Sequence, residues 1–337
     1  MKALVYIQPK TIQFKEVPKP KIKPNEVLLK IKSVGICGTD LHIYNGGMDL
    51  PTPLIIGHEF SGIIEQVGAQ VKKFKKGDRV VAEHVISCGK CSYCLSGKPN
   101  LCSNAKVIGL HRPGALAEFM AVPANLVYKF PKSLSFDEAA MIEPLSIAYY
   151  AAQEAGFVLD KKVAVIGQGP IGLLVDQVLK QAGALVIGID IQESRLRFAK
   201  KKKWVDKTIN SKKQNVVNEI NKLTNDGADI VFEVVGNEIT AQMSLEIARR
   251  DGEVFLLGVF ESPSKINLMH LVKKELNVHG SWTCAFAFSP SIELAASGKI
   301  DLKSLITHRY PAKQGIKAFK DAANYSDNRI KTVINWN

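Results

Sequence analysis

The chain has 337 residues, 46% of them hydrophobic and 23% charged, with a formal net charge of +13 at neutral pH. That length exceeds one ordinary core and suits two domains, and the composition excludes disordered, collagen-like and repeat architectures. No apolar run approaches the ~20 residues of a membrane span, and Pro9 interrupts the amino terminus before a signal-peptide core can form, so a cytoplasmic protein with no membrane partner is expected.

The first residues read as short strands at 3–7, 11–16 and 26–34, separated by Pro18, Pro20 and the Pro24-Asn25 pair. Next comes Cys37-Gly38-Thr39-Asp40-Leu41-His42. Taken alone, Cys37 reads equally well as a buried core thiol or as a ligand. Joined with Gly57-His58-Glu59 it completes a set of thiolate, imidazole and carboxylate that suits Zn²⁺ and leaves one position open for water or substrate. Thr39 and His42 supply a hydroxyl and an imidazole at a spacing suited to carrying a proton away from an alcohol.

Lys72, Lys73, Lys75 and Lys76 form a basic run, and Lys200 to Lys203 form a second. Such runs read as solvated turn and helix-end faces, more informative about solubility and steering than about a nucleic-acid target. An anionic substrate drawn in by the field is a third option.

Cys88, Cys91, Cys94 and Cys102 follow at the spacing Cys-x2-Cys-x2-Cys-x7-Cys, within a lobe of about 85–105. Four thiolates close a tetrahedral shell and leave no place for substrate, so this is the signature of a structural zinc. Without an export signal the crowding reads as metal binding and not as disulfides. Past the lobe, His111 and Arg112 face two readings: a pair holding a carboxylate or phosphate, or a solvated loop, which is favoured.

Glu143 opens a helical stretch that runs to residue 155, where a carboxylate also complements the helix dipole. The second half begins with a buried strand at 162–166 running into Gly167-Gln168-Gly169-Pro170-Ile171-Gly172, a helix at 173–182, and a strand at 185–190 ending in Asp190. This strand, glycine loop, helix and terminal acid in register form a dinucleotide-binding unit, and Asp190 favours NAD over NADP because it repels a 2′-phosphate. Further strands at 230–235 and 253–259 alternate with helices, which predicts an α/β, doubly wound parallel sheet.

Gly57-His58-Glu59, with Gly62, Gly68 and Val71 at their offsets, resembles the zinc signature of the medium-chain dehydrogenase/reductase superfamily, in its polyol and threonine dehydrogenase branch. The likeness runs through the whole chain to 330–334, with Ala115 a small departure where the family usually keeps a second glycine. It implies a GroES-like β-rich catalytic domain over 1–146 and 284–337, a Rossmann domain over 147–283, and an active site in the cleft between them. It implies two zinc ions per chain, with Cys37 and His58 on the catalytic one and with Glu59 or Glu143 completing the shell. Thr39 would take the substrate proton and relay it through the cofactor ribose to His42. Arg195 would flank the adenine or lie on a helix surface, and Leu257, Gly258 and Val259 would pass near the nicotinamide.

The implied reaction is NAD-dependent oxidation of a secondary alcohol on a polyol, sugar or sugar-derived acid, by a homotetramer or else a dimer. L-Threonine 3-dehydrogenase is the enzymatic alternative, against which Ser146-Ile147 stand where that family tends to have Gly-Asn. The alternative of a different class is a non-catalytic nucleic-acid binder on the same fold, which predicts salt-sensitive binding and leaves the zinc and dinucleotide residues without a purpose.

Overall fold

The computed structural model describes residues 1–324 and 328–336. The chain divides into two compact units, 1–144 with 285–337, and 145–284.

Among the described residues, the first unit is built on a seven-stranded sheet. Its central strand, Glu26–Gly35, is buried along nearly its whole length, as expected of a strand covered on both faces. Glu59–Val67 and Phe119–Pro123 pair with it antiparallel along one edge or the other, and Lys331–Asn335 pairs with its carboxyl end. That last pairing brings the end of the chain beside Gly35, two residues before Cys37. Val27, Leu29, Ile31, Phe60, Ile64, Phe319 and Ile334 fill the core beneath. Val85–Ile86 and Lys106–Val107 form a separate two-stranded pair at the base of the cysteine lobe.

The second unit is a six-stranded sheet in which every neighbouring pair is parallel. Its spatial order is Lys207–Asn210, Leu185–Asp190, Lys162–Ile166, Ala228–Glu233, Ala248–Leu256 and Asn277–Gly280. In sequence terms this is 3-2-1-4-5-6, and the order reverses between Lys162–Ile166 and Ala228–Glu233, where such sheets bind dinucleotides. Among the described residues no helix is long and apolar enough to cross a membrane.

Element boundaries differ most from the sequence reading at the glycine loop and in two strands that follow it. The glycine-loop helix is Pro170–Gln181 and starts three residues early, because Gly169 takes the N-cap and Pro170 the first turn. Ala228–Glu233 ends before Val235 because the chain turns at Gly236, where φ is +85°. The strand expected at 253–259 is Ala248–Leu256, which leaves Leu257, Gly258 and Val259 in the loop beyond it.

Asp176 lies on the Pro170–Gln181 helix, fully buried, and neither carboxylate oxygen finds a hydrogen-bond partner. Burial pushes its pKa well above the carboxylate range, opposed by the adjacent Gln168 side chain. The folded chain therefore keeps a proton that the unfolded chain releases above about pH 4. Stability from this group is fully present below that pH and falls by about 1.4 kcal/mol per pH unit above it, until the folded-state pKa is reached. Asp176→Asn carries a neutral group at every pH. Its melting temperature is expected to exceed the wild type's at pH 8 and to converge with it in acid; an equal offset at both pH values would refute the buried proton.

Candidate metal and dinucleotide sites

Cys37 caps the Gly38–Asn45 helix, and its backbone N–H donates to Asp40 Oδ2 at 2.9 Å. The other oxygen of Asp40 lies 3.6 Å from His58 Nδ1, with both side chains buried. A carboxylate on one ring nitrogen orients a histidine to offer the other nitrogen to a metal. One aspartate thus fixes the turn that carries Cys37 and sets its second oxygen beside the ring of His58.

Glu59 sits directly across the sheet from Gly35. A Cβ at Gly35 would fall 2.1 Å from Glu59 Oε2, so the glycine makes room for the carboxylate. Lys331 Nζ donates to Glu59 Oε1 at 2.6 Å from the paired carboxyl-terminal strand, and both side chains are buried. The donor atoms of Cys37, His58 and Glu59 all lie within 4.8 Å of one another. Glu143 stands close by but outside that group, its Oε1 3.0 Å from the Nδ1 of the buried His84.

Charge explains what this cluster suits. Burial disfavours the His58 cation, yet Asp40, Cys37 and Glu143 outweigh it and hold the imidazole pKa well above its ordinary value. Burial likewise raises the pKa of Glu59 against the pull of Lys331. Glu143 is lowered, because His84, His58 and Lys331 together overcome its desolvation. Three carboxylates and a thiol thus act electrostatically on one another and on His58, with Lys331 as their one permanent cation among the described residues. A divalent cation would balance the excess and replace the proton on His58, so these donors fit zinc.

Thr39 and His42 stand three residues apart on the Gly38–Asn45 helix, both half-buried, so their side chains share a face. The His42 ring lies against Gly47, where a Cβ would come within 1.9 Å of His42 Cε1.

The four lobe cysteines also converge within 4.8 Å, with Cys91 Sγ and Cys94 Sγ 3.5 Å apart. All are free thiols. Backbone N–H groups point at the sulfurs: those of Cys88 and Asn104 reach Cys102 Sγ at 3.2 and 3.4 Å. Those of Cys94 and Ser103 bring the Cys91 pKa down to about 6. Burial, together with the thiols of Cys91 and Cys102, pushes Cys94 up to about 11. Such a nest of amide donors stabilises thiolate and fits a closed zinc shell.

His111 is exposed, as the solvated-loop reading expects, whereas Arg112 is half-buried and paired. It neither meets solvent alone nor waits for an anion, because its Nη2 lies 3.1 Å from Oε1 of the buried Glu26. His111 Nδ1 accepts the Val107 N–H at 3.1 Å. Both residues pin the chain leaving the lobe.

In the second unit Gly167 has φ +100°, and a Cβ on Gly172 would fall 1.8 Å from the Gly167 carbonyl oxygen. Gly169 faces open space apart from Arg195 Nη1 at 3.9 Å. Pro170 and Ile171 form the first turn of the helix whose amino end points at this opening. Asp190 accepts the Gln168 N–H on Oδ2 and the Gln192 N–H on Oδ1, each at 2.7 Å, so the carboxylate is held rigidly below the loop. Arg195 Nη1 stands 3.9 Å from it. Beyond the strand ends, Leu257 and Gly258 donate their N–H groups to the Glu233 carbonyl. Val259 and Val235 line a cavity of about 300 Å³ there.

Two family models match the chain: the alcohol dehydrogenase GroES-like domain over residues 23–132 and the zinc-binding dehydrogenase over 170–297. The chain is 34% identical to the sorbitol dehydrogenase of Bacillus subtilis across 99% of its own length and 97% of that protein's. It belongs to the zinc-type medium-chain dehydrogenases, in the polyol and threonine dehydrogenase branch. This dehydrogenase is also 39% identical to the L-threonine 3-dehydrogenase of Bacillus licheniformis over 91% of each chain. Its fold matches that of a zinc-binding dehydrogenase from Sinorhizobium meliloti 1021 bound to NADP, with a TM-score of 0.93, 30% identity and 99% of each chain covered.

Sequence reasoning missed three residues around the candidate metal cluster. Asp40 left a faint signal, a carboxylate three residues after a candidate ligand. His84 stands in no motif that would single it out. Lys331 left no local signal at all, since its partner Glu59 lies 272 residues away.

Proposed function

We propose that this dehydrogenase is zinc- and NAD-dependent and oxidises a secondary alcohol of an uncharged polyol to a ketone. The observation that carries the reading is the convergence of Cys37, His58 and Glu59 one helical turn from Thr39 and His42. Zinc held by these residues supplies the Lewis acidity that makes an alcohol hydroxyl dissociable near neutral pH. Gly167, Gly169, Gly172 and Asp190 would seat NAD, which when bound would supply the hydride acceptor. The chain's own part is positional and protolytic. Asp40 aims His58, Lys331 fixes Glu59, and Thr39 takes the substrate proton, which His42 passes toward solvent.

An uncharged substrate is supported by what two cations of the first unit already do. Arg112 is committed to Glu26 and Lys331 to Glu59, so neither is left to recognise a phosphate or a carboxylate. The rigid Asp190 carboxylate supports NAD over NADP. L-Threonine is the second reading, favoured by the 39% identical relative.

The test is NADH formation by zinc-replete protein on polyols, sugar acids, sugar phosphates and L-threonine, repeated with NADP. Turnover of a neutral polyol with NAD is the expected result. Turnover of threonine alone would promote the second reading, and failure to bind NAD would remove the cofactor assignment.

Assembly into a homotetramer, or at least a dimer, requires a covered surface. Asn277–Gly280 is an edge strand exposed at all four residues, and Leu268, Met269, Val272, Val278 and Trp282 around it are exposed apolar groups. An apolar edge of this kind supports pairing with a second copy. Val278→Lys is expected to lower the sedimenting mass; an unchanged mass would place the contact elsewhere.

A further inference from the structure

The side chains of Gln168 and Asp176 have no role so far, yet both are fully buried. Gln168 stands between the first two glycines of the loop, and Asp176 lies in the second turn of the Pro170–Gln181 helix. Gly188, on the adjacent strand Leu185–Asp190, makes the room that the Gln168 amide occupies. A Cβ there would fall 2.9 Å from both Cδ and Oε1 of Gln168 and 3.1 Å from Nε2. The same amide acts on the Asp176 carboxyl, and besides burial nothing else does. Among the described residues no charged group of its own helix, of the strand that ends in Asp190 or of the strand that begins at Lys162 bears on it. Oδ1 and Oδ2 of Asp176 and Oε1 and Nε2 of Gln168 are all without a hydrogen bond in the structure. The backbone of Gln168, by contrast, is tied, its N–H donating to Asp190 Oδ2 at 2.7 Å.

We infer that Asp176 is a positioning residue for dinucleotide binding, one that pairs its carboxyl group with the Gln168 amide and so steadies the loop whose N–H holds Asp190. The four atoms are complementary. A neutral carboxyl offers one O–H donor and one carbonyl acceptor, and a primary amide offers the matching C=O and N–H, so two hydrogen bonds satisfy all four atoms at once. A carboxylate offers acceptors only, and one of its oxygens would then face the amide oxygen. The pair therefore needs the proton that burial keeps on Asp176. When that proton leaves, two buried polar side chains lose their match, and the cost falls on the loop from Gly167 to Gly169 and on Asp190 with it. Asparagine at 176 preserves the match at every pH, because two amides pair in the same way; leucine abolishes it.

This inference rests on the NAD reading above, and the test separates the two. The dissociation constant of NADH is measured by its fluorescence from about pH 6 to about pH 9.5, on wild type, Asp176→Asn, Asp176→Leu, Gln168→Leu and the double leucine variant. Wild-type affinity is expected to fall toward alkaline pH more steeply than that of Asp176→Asn, which has no proton to lose at this position. At pH 7 each single leucine variant should bind NADH about tenfold more weakly. The double variant should be no weaker than either, since one truncation already breaks the pair. Matching pH profiles in wild type and Asp176→Asn, or losses that add in the double variant, would overturn the inference while leaving the cofactor reading in place. Should Asp176→Leu not fold, the Asp176→Asn profile and a Gln168→Leu protein that binds as tightly as wild type would each still suffice to overturn it. A wild type that binds NADH at no pH would remove the cofactor reading and this inference together.

Discussion

Cys37→Ser is expected to lower zinc content by about one ion per chain and kcat/KM by roughly 10⁴-fold or more. A serine hydroxyl is a poor zinc ligand, and the remaining pair, His58 and Glu59, leaves the ion weakly held. The size of the loss follows from the chemistry. Zinc can bring the pKa of a bound water down by many units, to about 7. Each unit forfeited costs about 1.4 kcal/mol in reaching the deprotonated substrate, so losing even a third of the effect removes several powers of ten. Cys91→Ser is the informative control, because it also costs about one zinc but empties the closed shell of the lobe. There the expected loss is in melting temperature, on the order of 5 °C, with most turnover retained. Full activity in a Cys37→Ser protein short of one zinc would refute the catalytic assignment, whatever the control does.

The convergence of the lobe cysteines was legible in the sequence, and the reason is local spacing. Four thiols within fifteen residues can converge through a few turns, so the spacing from Cys88 to Cys102 already implies the closed shell. The glycine loop and Asp190 are equally local, since one strand, one turn and one helix place them. The doubly wound sheet followed from strands and helices in alternation, and it is the sheet observed. What stayed hidden depends on pairings between distant strands. Lys331 reaches Glu59 only because the last strand lies against Glu26–Gly35, whose other neighbour begins with Glu59. Arg112 finds Glu26 across 86 residues, which turned a loop arginine into a half-buried clamp. His84 and Glu143 meet in the same way, from a strand end and a helix start. Ligand types can be read from composition and spacing; the groups that aim them are supplied by topology.

Thr39→Ala should leave both zinc sites filled and KM little changed while kcat falls by roughly 10²- to 10³-fold. Thr39 lies in the first turn of the Gly38–Asn45 helix, half-buried and outside the converging donors, so truncation removes a hydroxyl without opening the metal cluster. Alanine is also the better helix former, so stability is not at issue. Thr39→Ser keeps the hydroxyl and is expected to keep most of the turnover. The next group in the path is tested from behind. Gly47→Ala puts a methyl where the His42 ring now lies, and the ring must swing away. If His42 hands the proton to solvent, this variant should slow turnover by about tenfold, and added imidazole buffer should restore it by taking the proton in its place. A Thr39→Ala enzyme with full activity would end the relay. A slow Gly47→Ala enzyme that no buffer rescues would keep Thr39 and remove His42 from it.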